Sequence, residues 1–282
     1  MEVRNINDCM IPIDKLMPKQ NQKSKLARGV LYREDRDQYG RKIFHKVAEN
    51  TVVLGGAIAA LERLTNKTAS FRPNTLNQIL NLNTGYDYHV TSTPIALFGC
   101  GVGGASMTFG DVYDPSVKQN NVASLLPMMV SENELTGVDA AKYMMRTTVS
   151  TPGGTNLNCW YLKEFDIDPV ITSLWKDAAD EDDDGTEITE DISESTSENG
   201  VESFAQFKLV LRDDDVRSYY KAMGTLPQAR FNSIGLYVGE KVTIGTYEDY
   251  VNVSLFSVVN FNNEALAERK EVTYMYRVYS LI

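Results

Sequence analysis

Gly99, Gly101 and Gly104 fall at the G-x-G-x-x-G spacing, and the apolar run Ile95 to Phe98 before them reads as a strand. A dinucleotide site begins this way, with glycines that let the backbone approach a pyrophosphate. The same chemistry needs a helix opening at the third glycine, so that its N-terminal N–H groups face the phosphates. Ala105 to Pro115 makes a poor helix. Gly110 interrupts it, Thr108, Val112 and Tyr113 weaken it, and Pro115 closes it. Thr93 to Pro115 is therefore expected to be a glycine-rich structural loop whose glycines serve packing.

A second pattern lies in the acidic run. Asp180, Asp182, Asp184 and Gly185 occupy positions 1, 3, 5 and 6 of a calcium loop, with Asp191 at position 12. Hard carboxylate oxygens alternating along a loop suit calcium, and glycine permits the sharp turn. Against it, aspartate at position 12 is a shorter arm than glutamate. Glu187 stands where an apolar residue is usual, with Ile188 one place late, and neither flank is a good amphipathic helix. The expectation is a solvated acidic excursion, with these four aspartates as the candidate metal set and calcium as the candidate ion. No other cofactor is expected.

Nucleophilic catalysis needs a nucleophile, a base and an orienting group within reach. The chain has two histidines, His45 and His89, and no G-x-S-x-G. Carboxylate pairs carry no local spacing rule, but the acids concentrate in one segment poorly suited to rigid placement. No catalytic residue is assigned, and the expectation is a protein that is not an enzyme. Cys9, Cys100 and Cys159 are widely spaced and odd in number, which argues against a disulfide framework and a zinc site. Cys100 and Cys159 read as small buried hydrophobes of a protein made in a reducing compartment.

Charge is uneven. The 282 residues carry a formal −10, yet Asp177 to Glu202 holds 12 acids and no lysine or arginine. Taking that −12 from −10 leaves +2 for the rest, so the body is near neutral. Residues 1–50 carry 11 basic against 7 acidic residues, a mild excess of +4. Nucleic-acid binding, which calls for a clustered basic face, is not expected. Met1 to Pro12 lacks the apolar core of a signal peptide. The longest apolar run, Val52 to Leu61, is 10 residues, short of the roughly 20 that span a bilayer. No membrane association is expected.

The elements that must position these residues follow from periodicity. Residues 1–40 read as an extended, irregular arm laid on a neighbouring subunit. Residues 41–84 read as a helical segment: Val47, Leu54, Ile58 and Leu61 place a helix over Lys42 to Leu64 with a stop at Asn66, and Thr75 to Leu82 suggests a shorter one. Gly55, Gly56, Ala59 and Ala60 give that helix a small-residue surface on which a backbone can sit closely, within the subunit or between subunits. Residues 85–282 read as a β-rich domain with the acidic insertion at 177–202. Phe207, Leu209 and Leu211 alternate, as do Asn232 to Val238, Val251 to Leu255 and Val272 to Leu281. Gly239-Glu240 suits a two-residue hairpin turn. Asp139 to Arg146 and Asp213 to Met223 are expected to be short helices. The fold class is α+β, mainly β: an antiparallel β-sandwich-like core with one N-terminal helix and an extended N-terminal arm.

Seven segments, taken in order, carry a resemblance. They are Asn50 to Leu64, Leu97 to Asp114, Leu125 to Val130, Ala140 to Arg146, Asn158 to Asp177 with the acidic DGTEI after it, Phe231 to Glu240, and Val272 to Ile282. Together they resemble virion structural proteins of tailed bacteriophages, and the arm lies outside the resemblance. It implies a non-enzymatic particle component, made in the host cytoplasm and present in multiple copies in the virion. Its partners would be copies of itself, as a homo-oligomer, and other virion structural proteins. The neck, collar or head–tail connector region is the leading position; capsid surface and baseplate are the alternatives. The long acidic run after Trp175 departs from the family pattern. Outside this class stand a receptor- or carbohydrate-binding β-sandwich module, which would show an aromatic pocket, and a hydrolase, which would face two carboxylates across a cleft.

Overall fold

Alternation along the later strands is resolved into two packed antiparallel sheets. The computed structural model describes residues 27–36, 38–106, 111–115, 125–151, 154–177, 186–187, 199–266 and 271–280. The first sheet is ordered β2 (Lys42–Glu49), β1 (Ala27–Arg36), β13 (Glu271–Ser280), β10 (Asn199–Arg212), β8 (Val170–Asp177) and β9 (Thr186–Glu187). The second runs β3 (Thr51–Val52), β12 (Tyr247–Ala265), β11 (Arg230–Ile244), β4 (Ile95–Gly101), β7 (Asn156–Glu164) and β5 (Met129–Ser131), with β6 (Tyr143–Ser150) also on β7. Phe207, Leu209, Tyr274 and Tyr276 of the first sheet meet Phe98, Phe231, Ile234 and Phe261 of the second in one core. This is the mainly β, sandwich-like fold that the alternation predicts. No described helix is long and apolar enough to cross a membrane.

Four local expectations change. Within the expected arm, Ala27–Arg36 is not irregular but a strand, paired with β13 from Ala27↔Ser280 to Arg33↔Tyr274 and with β2 on its other edge. Val30 and Leu31 are both buried on opposite faces: Leu31 joins the core between the sheets, and Val30 is covered in a small cluster with Phe204 and Tyr279, which masks the alternation. Of the rest of the expected arm, residues 1–26 and Asp37 lie outside the described residues, and 38–40 form the turn into β2. The expected helix over Lys42 to Leu64 begins later. Lys42–Glu49 is the edge strand β2, and the helix is α1, Leu54–Thr65, closed by Asn66 in the left-handed region (φ 51) as expected.

The second short helix is α2, Leu76–Leu80, opened by a capping box in which Thr75 and Gln78 each satisfy the other's backbone N–H. The expected helix over Asp139 to Arg146 is reduced to a single turn, α3 (Gly137–Ala140); Tyr143 onward is β6. Met and Ala favour helix locally, but the full-length pairing of β6 with β7 overrides that preference. Arg217–Ala222 forms the other short helix, α4.

Gly239-Glu240 is not a turn. β11 continues through it with a register shift between Val238 and Glu240, and the chain reverses at Gly245-Thr246, where Ile244 faces Tyr247. Gly245 has φ 64, and Thr246 is not among the positive-φ residues, which is the type II′ requirement. Gly239 serves the bulge instead. A Cβ there would press on Tyr250 Cδ1 and Val253 Cγ2 at 3.1 Å.

Candidate functional site

β6 and β7 run side by side, and Tyr143 is the cross-strand partner of Lys163. Around this pair the chain builds a cleft and, behind it, a buried charged cluster. The cleft has a volume of about 300 Å³ and lies between the start of β6 and the β11–β12 hairpin. Tyr143, Met145, Trp160 and Asp249 form its floor; Arg146 and Tyr247 stand at its rim. Met145 has φ 64, a region costly for a residue with a side chain. That turn of the backbone lets Tyr143, Met144 and Met145 all be buried in succession.

Asp249 holds the strained segment in place. Its Oδ1 accepts the N–H of Met145 at 3.1 Å and of Tyr250 at 2.8 Å, and its Oδ2 accepts Asn83 Nδ2 at 2.9 Å. Burial raises the Asp249 carboxyl above the ordinary aspartate range, while these hydrogen bonds pull the other way without prevailing. A raised carboxyl binds its proton more tightly folded than unfolded. Its contribution to stability is therefore complete below the unfolded value and is lost as pH rises through the folded one. Asp249→Asn should remove this dependence. In paired melts from about pH 3 to 7, the wild type is expected to lose stability relative to the variant as pH rises. A constant difference across that range would refute the assignment.

Behind the floor, Lys163 Nζ lies 2.6 Å from Asp215 Oδ2, and both side chains are 0% exposed. Lys163 also donates to the Val210 carbonyl at 2.8 Å. Asp215 Oδ1 accepts the Tyr143 hydroxyl at 2.6 Å, and Oδ2 accepts the Arg212 N–H at 2.8 Å. Burial, reinforced by the Asp215 charge, pushes the Tyr143 phenol far above its ordinary value, so it stays a donor. The next residue, Val216, is fully buried at φ 63 and ψ −37, a strained conformation for a β-branched residue. The cluster spans the sandwich: Lys163 comes from β7 of one sheet, and Asp215 from the turn after β10 of the other.

The candidates read from sequence lie elsewhere. Asp180, Asp182, Asp184 and Asp191 are outside the described residues. Of the acidic insertion, Thr186–Glu187 pairs with β8, and β8 and β10 pair from Asn199↔Asp177 onward, so the insertion is carried on a hairpin. Among the described residues no group of three or more His, Cys, Asp and Glu is placed to hold a metal. The glycine-rich stretch serves packing. Gly99 lies on β4 with Leu162 Cδ2 2.7 Å from where its Cβ would be, and a Cβ on Gly104 would collide with the Asn232 carbonyl oxygen. After Gly104, Ala105 bridges to Val112, and residues 107–110 of the stretch lie outside the described residues.

His45 is exposed on β2, 3.9 Å from Asp35, and His89 meets Glu240 at 3.1 Å. They sit on separate parts of the fold. Cys100 and Cys159 are buried free thiols as expected, and burial pushes Cys159 up to about 11. Sequence reasoning did not single out Lys163, Asp215, Tyr143 or Asp249. One signal was available: a lysine inside the apolar run Cys159-Trp-Tyr-Leu-Lys163 of a strand buried on both faces.

Comparison with protein-family models, with curated proteins and with solved structures finds no match.

Proposed function

We propose that this chain is a structural subunit of a tailed-phage particle, built into the neck, collar or head–tail connector region in multiple copies. The order of the seven segments supports the phage class. The observation that carries a role in assembly is the inverted placement of α1. An amphipathic helix usually turns its large apolar residues to the core. Here Gly55, Gly56 and Ala59 face the sheet, while Leu54, Leu61 and Leu64 face outward, Leu64 being 83% exposed. Leu54, Leu61 and Leu64 fall at i, i+7 and i+10, on one helical face. Phe71 and Ile79, shortly after the helix, are exposed as well. An exposed apolar face of this kind marks a contact surface.

Leu61→Glu combined with Leu64→Glu is expected to leave a folded chain that no longer associates. Light scattering should show the wild type as a concentration-dependent multimer and the double variant as a monomer with an unchanged melting temperature. A wild type that stays monomeric at high concentration and is absent from purified particles would overturn the proposal. Cross-linking of intact particles tests the position within them. A second reading, a receptor- or carbohydrate-binding module, draws on the cleft beneath half-exposed Tyr247. It predicts saturable glycan binding that Tyr247→Ala abolishes.

A further inference from the structure

We propose that Lys163 and Asp215 react with each other in the folded chain to form an isopeptide bond that joins the two sheets. The reacting atoms are in contact: Nζ lies 2.6 Å from Oδ2, and the carboxyl carbon is one bond beyond. Both groups are shut off from water, which matters for a condensation, since bulk water favours the separated acid and amine and solvates the charged pair. The surroundings are apolar. Tyr143, across the strand from Lys163, and Val216, next to Asp215 along the chain, belong to the main core.

Proton transfer along the Nζ–Oδ2 contact turns the ammonium and carboxylate into an amine and a carboxylic acid, the uncharged form that dry surroundings tolerate best. The amine lone pair then attacks Cγ and forms the Nζ–Cγ bond. In the tetrahedral species the negative charge falls on a carboxyl oxygen. Two donors already point at these oxygens, the Arg212 N–H on Oδ2 and the Tyr143 hydroxyl on Oδ1, in the manner of an oxyanion site. Collapse breaks one Cγ–O bond. The departing hydroxide takes the proton that nitrogen gives up and leaves as water, with Tyr143 as the nearest relay. In sum, an ammonium and a carboxylate become an amide and one water. Nothing is oxidised or reduced, and no co-reactant is needed.

Positioning replaces an external catalyst. The Val210 carbonyl fixes the amine through one N–H. The Asp215 carboxylate is held by the Tyr143 hydroxyl and the Arg212 N–H, and the neighbouring Val216 N–H is tied to the Met128 carbonyl at 2.8 Å. Holding two reactants in contact is worth large effective concentrations.

Intact mass spectrometry of the purified full chain, denatured, reads the result directly. The expected mass is below the sequence mass by one water, and proteolysis should yield a branched peptide joining the Lys163 and Asp215 segments. A chain at its full sequence mass, with both segments recovered as separate linear peptides, would overturn the proposal and leave an ion pair. Asp215→Asn should lose ammonia in place of water. Lys163→Arg should stay at full mass; a persistent water loss in that variant would place the modification elsewhere and also overturn the proposal. Tyr143→Phe keeps the pair but removes the relay, so folded protein should convert more slowly, and conversion at the wild-type rate would remove Tyr143 from the step.

Discussion

Asp215→Ala is expected to destabilise the folded chain by about 3–5 kcal/mol, the cost of breaking a buried charge pair by removing one partner. Lys163 is 0% exposed and would keep only the Val210 carbonyl as an acceptor. The Tyr143 hydroxyl and the Arg212 N–H would lose theirs as well. An ordinary neutral hydrogen bond contributes only about 1 kcal/mol, so the size of the effect separates a buried ionic cluster from a peripheral contact. Urea unfolding measures it: the midpoint should fall, and the slope should rise because the variant's unfolded chain is no longer held compact by the cross-link. Where the isopeptide bond has formed, its loss acts in the same direction. A change below about 1 kcal/mol would show that Lys163 finds solvent in the folded state.

Gly56→Ala should destabilise by about 2–3 kcal/mol, although alanine is the better helix former by about 1 kcal/mol. The sign is set by the seat of α1. A Cβ at Gly56 would overlap the Phe256 carbonyl oxygen and lie 2.6 Å from its carbon and 2.8 Å from Phe256 Cα. These are backbone atoms of β12, which cannot rotate away as a side chain could. The Val53 N–H also bonds to that carbonyl at 3.2 Å, so the helix start and the strand are fastened at the same place. Ala60→Gly, on the exposed side of the same helix, gives the control: a loss of about 1 kcal/mol from propensity alone. Thermal unfolding of both variants checks the pair. A Gly56→Ala protein more stable than wild type would mean that α1 does not rest on β12 in this way.

The two expectations rest on different kinds of information. That a helix ends near Asn66 was legible, because helical spacing and a left-handed stop residue are local signals. Which face it turns inward was legible in part: Gly55, Gly56, Ala59 and Ala60 marked a surface for close backbone approach, with the partner, inside the subunit or outside it, left open. The approach of β12 settles it inside the subunit, on Gly55, Gly56 and Ala59 with Ala60 left exposed, and that choice depends on a strand about 200 residues away in sequence. Val47 fell at helical spacing with Leu54 by coincidence, in an edge strand that needs little alternation. The hairpin shows the same division. Gly239 and Gly245 both follow apolar alternation, and only pairing with β12 decides that the first makes a bulge and the second the turn.

By itself the sequence determined the mainly β class, the inward faces of β10, β11 and β13, the left-handed stop at Asn66 and the buried state of Cys100 and Cys159. Each follows from neighbours two to four residues apart, where period and capping chemistry act. Tertiary structure alone decided the place of Ala27–Arg36 between β2 and β13, the conversion of the Tyr143 segment to strand, the outward leucines and the Lys163–Asp215–Tyr143 cluster. Lys163 and Asp215 are 52 residues apart and come from opposite sheets. No local pattern encodes such a contact. It exists because stacking two sheets brings an amine from one and a carboxyl from the other into the same dry space, where each must satisfy the other.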